Sequence, residues 1–158
     1  MAAVDLVQRL VELEQRVAAL EGGAEATPEV EDGGGALGYD GQVLLGGGEV
    51  RRRIDVTAER ALGLADRPRI EVLAALAHPA RVDIVRCLLA GGAQPAATLQ
   101  EAAGLGSTGR LYHHLKALTG SGVVEQDKRG SYRLRVDAAI PVLVLLTAAS
   151  DVAGQLRS

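Results

Sequence analysis

Apolar residues recur along this chain with more than one period, and each period predicts a different element. In residues 4–21, Leu6, Leu10, Leu13, Val17 and Leu20 are spaced 4, 3, 4, 3, which is the alternation of a and d positions along a coiled-coil seam. Under three heptads is marginal for a lone helix in water. The same stripe also suits an amphipathic helix lying on its own domain, but its narrowness favours self-association. Residues 23–36 are rich in Gly and acids, with one Pro, and predict a flexible linker spanning roughly 20 Å.

Over residues 37–57 the period falls to two. Val50, Arg52 and Ile54 alternate with Arg51, Arg53 and Asp55, and a shorter run, Gln42–Leu45, precedes Gly46-Gly47-Gly48. This predicts a β-hairpin. No Lys-Ser/Thr pair and no helix start follow the glycines, so they read as a turn rather than a phosphate cradle. The run Arg51–Arg53 reads first as a solvated face.

From Thr57 the spacing becomes helical. One helix carries Ile70, Leu73, Ala74, Leu76 and Ala77 on its core face. His78-Pro79 ends it and opens the next, with Pro at an early helical position. That helix buries Val82, Val85, Leu88 and Leu89 and stops at Gly91-Gly92. A short helix over 96–103 buries Leu99 and Ala103, residues 104–106 make a tight turn, and Ser107 is an N-cap for a helix running to about Thr119. Two short helices joined by a Gly-containing turn have helix–turn–helix spacing. Next come Val123-Val124, a polar Asp127-Lys128-Arg129-Gly130 turn, and alternating Tyr132, Leu134 and Val136, a second hairpin with a basic tip. From a cap-like Asp137 the chain is apolar almost all round. Such a helix must be buried in its domain or against a second subunit, with Ile140, Leu143, Val144 and Leu146 as the candidate contacts.

Composition narrows the class. The chain has 158 residues, 47% hydrophobic but only 2% aromatic, enough for one aliphatic core plus an appendage. The single cysteine, Cys87, excludes an internal disulfide; it reads as a small apolar filler at a boundary, with redox sensing as the rival. No secretory leader is evident, and the longest uncharged apolar run, 138–149, is 12 residues where a membrane span needs about 20. A cytoplasmic protein is expected. The net charge of −3 is uneven: residues 1–36 hold eight acids and two bases, whereas 106–136 hold six bases and two acids. A basic segment of that kind suits a polyanion.

The order is helix, helix, helix–turn–helix, basic hairpin, apolar closing helix, which is the winged helix–turn–helix plan. The blocks LAALAHPARVDIVRCLLAG, LYHHLKAL and GVVEQDKRGSYRL resemble, in that order, those of ArsR-like bacterial transcription regulators. The resemblance covers about residues 68–136. It implies a mainly α fold with a small β-hairpin wing (α+β), here preceded by a coiled-coil helix (1–22), the linker (23–36) and the extra hairpin (37–57), with residues 58–158 forming the DNA-binding and dimerisation domain. It further implies a dimer that binds operator DNA as a repressor, with recognition helix 107–119 in the major groove, wing 123–136 on the backbone or minor groove, and the closing helix in the dimer interface.

A helical wheel then separates the adjacent histidines His113 and His114. Leu111, Leu115 and Leu118 face the core, flanked by Tyr112. Arg110, His113 and Ala117 face away, with Gly109 and Lys116 beside them, and His114 sits at the edge of the apolar face. Arg110 suits a guanine O6/N7 pair, with His113 beside it. Ser107, Thr108, Lys116 and the helix-start amides suit phosphate, and Gly109 permits close approach. Lys128, Arg129 and Arg133 supply the basic wing. No metal or cofactor is expected: adjacent histidines point about 100° apart and cannot share an ion, and the closing helix has no His. Nor does any catalytic arrangement appear at useful spacing. A protein-assembly scaffold without a specific DNA site, and a ligand sensor using the 37–57 segment, remain as alternatives. Effector, operator and sign of regulation stay open, as does a higher oligomer joined through the coiled coil.

Overall fold

In a computed structural model, the structure describes Arg9, Leu13 and residues 34–157 except Arg129. Of the coiled-coil seam, only Leu13 is described; it is helical and exposed, and the rest of the seam and most of the linker lie outside the described residues. The described chain divides into two compact units, residues 34–38 with 55–63, and residues 39–54 with 64–157.

The hairpin runs through both units. Its strands are β1 (Ala36–Leu45) and β2 (Gly48–Thr57), each ten residues and longer than the expected runs. The outer part of β1 sets Leu37 and Tyr39 among Ala36, Gly38, Asp40 and Gly41, small or acidic residues that are poor strand formers, so its strand signal is weak. In the first unit, α1 (Ala58–Gly63) follows β2. Thr57 Oγ1 caps it by accepting the Arg60 N–H at 3.2 Å, and the Ala58 N–H donates to the Gly35 carbonyl at 2.7 Å.

In the second unit the hairpin turn places Gly46 and Gly47 at φ of +58° and +84°. Two successive positive φ values make a type I′ turn, which matches strand twist and which glycine adopts without steric cost. The helical part comprises α2 (Asp66–Leu76), α3 (Pro79–Gly91), α4 (Ala96–Ala102), α5 (Thr108–Gly120) and α6 (Val136–Val152). A three-stranded antiparallel sheet is ordered β3 (Gln94–Pro95), β5 (Ser131–Leu134), β4 (Val124–Gln126). Val124 is opposite Leu134 and Gln126 opposite Tyr132, while Gln94 pairs Tyr132 from the other side. β3 was not expected, because a two-residue strand containing Pro has no periodicity to read.

One core joins these elements. Ile84, Val85 and Leu88 of α3, Leu99 of α4, Leu111, Leu115 and Leu118 of α5, and Leu134 of β5 are all at most 2% exposed. Each such side chain stabilises the fold by about 1.5–3 kcal/mol relative to exposure. Val43 and Leu45 of β1 pack against this core, as do Cys87 and Leu146.

Two expectations need correction. The first concerns the stretch from Thr57 to Ala77, which is broken at Leu64–Ala65, and its core face differs from the expected one. Ile70 and Leu73 are 57% and 50% exposed, and Ala75 and Leu76 are buried instead. The end of α2 reaches the core, with Val72 partly buried against it and Ile70 and Leu73 turned away. The second concerns Asp137, which does not cap the closing helix. That helix begins at Val136 with Arg135 as its N-cap residue, and Asp137 sits in the first turn. Its carboxylate accepts two hydrogen bonds from Arg135, at 3.0 and 2.7 Å, where it also faces the positive end of the helix dipole.

Candidate nucleic-acid interface

The turn between α4 and α5 fixes how α5 is presented. Gly104 takes φ of +60°. Its N–H donates to the Glu101 carbonyl at 3.0 Å, and the Leu105 N–H to the Gln100 carbonyl at 3.0 Å. This hydrogen-bond pair is a Schellman ending, which needs a left-handed residue where Gly104 stands. Leu105 then packs back on the core. Ser107 caps α5 as expected, its Oγ accepting the Arg110 N–H at 3.4 Å.

The face of α5 toward the core is Leu111, His114, Leu115 and Leu118, all buried. The opposite face carries Thr108, Gly109, Arg110, His113 and Lys116, all exposed, and Tyr112 is 49% exposed beside them. Among the described residues, Arg110 and Lys116 make no ion pair. Arginines on the other helices do: Arg67 with Glu71 at 3.0 Å, Arg86 with Asp83 at 3.3 Å, and Arg69 with Asp66. Arg110 and Lys116 are therefore exposed cations without an ion-pair partner among the described residues.

His114 is not at the edge of the apolar face but inside it, 8% exposed. Its ring packs on that of His78, with centroids 4.4 Å apart. His78 is itself the N-cap of α3, its Nδ1 accepting the Ala80 N–H at 3.2 Å. The Nδ1 of His114 is buried without a hydrogen-bond partner among the described residues. Burial first, and then the neighbouring His78, Arg81, His113 and Arg110, hold the His114 pKa below the ordinary 6.5. A neutral ring at this position ties α5 to the start of α3. Sequence reasoning missed the contact because it joins residues 36 positions apart.

In the wing, Lys128 is exposed at the tip and unpaired among the described residues, and Arg129 beside it lies outside them. Arg133 is differently placed. Its guanidinium bonds Glu125 at 2.7 Å and Asp127 at 3.3 Å, bracing β5 to β4 and the tip. The candidate dimer residues on α6 divide too: Ile140 is buried, while Leu143, Val144 and Leu146 are half-buried.

A Gly-turned helix pair, a capped outward-facing second helix, a two-stranded basic wing and a closing helix together define a winged helix–turn–helix domain, the fold of DNA-binding transcription regulators. Residues 76–127 match the model of a helix-turn-helix domain family. No curated protein sequence matches the chain. Among solved structures, a homodimeric winged helix-turn-helix DNA-binding domain from Mycobacterium bovis, described as a possible ArsR-family regulator, is 26% identical. It covers 61% of this chain and 97% of its own, with a TM-score of 0.47. NolR from Sinorhizobium fredii is 24% identical, covering 56% and 86%, with a TM-score of 0.46. The transcriptional repressor BigR from Xylella fastidiosa is 31% identical, covering 52% and 86%, with a TM-score of 0.42. None of these superpositions reaches 0.5, so the match rests on residues 76–127. Residues 76–127 therefore carry a helix-turn-helix domain.

Proposed function

We propose that this protein is a sequence-specific repressor that binds operator DNA as a homodimer, with α5 in the major groove and the wing tip on the backbone or minor groove. The observation that carries the reading is a set of exposed cations without ion-pair partners among the described residues, on α5 and at the wing tip. Arg110 and Lys116 project from α5 and Lys128 from the wing, while the core side of α5 is wholly apolar apart from His114. Arg110 reads a guanine edge with His113 beside it; a bidentate contact of this kind is worth about 1–3 kcal/mol of discrimination. Ser107, Thr108 and Lys116 hold phosphate, with Gly109 allowing the helix close. Lys128 and Arg129 meet the backbone. Arg133 serves mainly to hold the wing in shape, because its charge is shared by Glu125 and Asp127.

The dimer reading is supported by apolar residues that this chain leaves uncovered: Ile70 and Leu73 of α2, and half-buried Leu143, Val144 and Leu146 of α6. The Leu6–Leu20 seam adds a second, separately tethered contact. Selection of bound fragments from genomic DNA, followed by sequencing, tests the function. A recurrent two-fold-related motif with strongly salt-dependent affinity is expected. Weak binding to all fragments alike would favour the assembly-scaffold reading instead.

A further inference from the structure

A cavity of about 440 Å³ lies between β2, the start of α6 and strand β4, apart from the outward face of α5. Its wall includes an unusual residue. Arg52 shares a face of β2 with Val50 and Ile54, both half-buried. It makes no hydrogen bond or ion pair among the described residues, although, after the hydrogen bonds from Arg135, its charge is among those that hold the Asp137 carboxyl below its ordinary range, whereas neighbouring Arg51 bonds Gln42 at 2.8 Å and Glu49 at 2.9 Å. Across the cavity stand Arg135 and Asp137, whose mutual pair leaves Arg135 with further N–H donors. Val50, Val136 and Ile140 supply an apolar wall.

We propose that this cavity binds a small monocarboxylate with an apolar body, its carboxylate between Arg52 and Arg135, as an effector of DNA binding. The charge balance selects the ligand class. Of the charged lining, Arg51 is paired with Glu49 and Glu125 with Arg133, which leaves two cations, Arg52 and Arg135, against the one carboxylate of Asp137. One negative charge neutralises that surplus, and a phosphate dianion or polyphosphate would face both acids. The size fits, since small-molecule sites occupy about 300–1,000 Å³ with few polar groups on an apolar lining. A charge on a strand face also guards a sheet edge against unwanted pairing. That role requires no ligand and predicts no carboxylate selectivity. The effector role follows from Arg135, which sits directly between the wing strand β5 and α6, its N–H donating to the Val123 carbonyl at 3.1 Å. A ligand held there engages the hinge of the wing.

Calorimetry on the full-length protein without DNA, using benzoate and octanoate with octanol and octylamine as controls, tests the site independently of the DNA-binding reading. The two carboxylates should bind and the controls should not. Arg52→Gln should weaken carboxylate binding roughly tenfold to a hundredfold, and Arg52→Lys should restore part of it. Matching thermal melts of the unliganded variants show that both are folded. No carboxylate binding, equal binding of octanol, or an unchanged affinity in Arg52→Gln overturns the site. Carboxylate binding that leaves affinity for the selected DNA fragments unchanged overturns the effector role.

Discussion

Gly41 tests how the amino-terminal hairpin is held to the closing helix. A Cβ at this position would lie 2.6 Å from Cγ2 of Ile140 and 3.4 Å from its Cγ1. Carbon atoms at rest are about 3.5–4.0 Å apart, so one side must move by nearly an ångström. Ile140 is 2% exposed and has little room to turn away. Overpacking of this kind costs about 1–3 kcal/mol. Stiffening the unfolded chain by Gly→Ala returns about 0.4–1 kcal/mol, so Gly41→Ala should destabilise by about 1–2 kcal/mol. Ile140→Ala alone should cost about 2–5 kcal/mol. Because it opens the space that the new methyl needs, the double variant should cost less than the sum of the two, by about 1 kcal/mol or more. The assay is denaturant unfolding of the four proteins at one fixed protein concentration, compared at unchanged m-value. A neutral Gly41→Ala, or strictly additive changes, would mean that β1 does not rest on α6 as described.

Neutralising Lys128 and Arg129 together should weaken all DNA sequences alike and flatten the salt dependence by about 0.9 per lost phosphate contact; an unchanged slope places the wing off the DNA. Deleting residues 1–22 should leave a folded dimer, lower any tetramer population and reduce avidity for long DNA; light scattering that shows a monomer at micromolar concentration would assign the dimer to the coiled coil. His114 should make the fold acid-sensitive. Its folded pKa lies below the ordinary 6.5, so below that pH the unfolded chain binds more protons, and stability falls as pH drops from 6.5 toward the folded value. Unfolding midpoints at pH 7.5 and 5.5 should differ more for the parent than for His114→Leu, and equal differences would remove His114 from the account.

Much of the helix–turn–helix was legible because its signals are local. Ser107 is a cap by residue type, Gly104 lies where a left-handed residue is needed, and Leu111, Leu115 and Leu118 recur at helical spacing. The wing was legible for the same reason, from alternation around a polar turn. The misread features depend on the tertiary fold. Periodicity offered Ile70 and Leu73 as core, but where α2 meets α3 and α5 it is Ala75 and Leu76 that are buried. Asp137 has the composition of a cap, yet the Arg135 guanidinium two residues away claims it. The His78–His114 stack and the Gly41–Ile140 contact have no local signature, since each is created only when distant segments meet.

Base preference at the operator tests the central claim most directly. Once selected fragments define the motif, the affinities of the parent and of Arg110→Ala should be measured against every single-base variant of one half-site at one salt concentration. The account predicts that the variant loses about 1–3 kcal/mol of discrimination at a single G·C pair and keeps its preferences elsewhere. If Arg110→Ala retains the full preference of the parent at every position, α5 is not the element that reads the DNA.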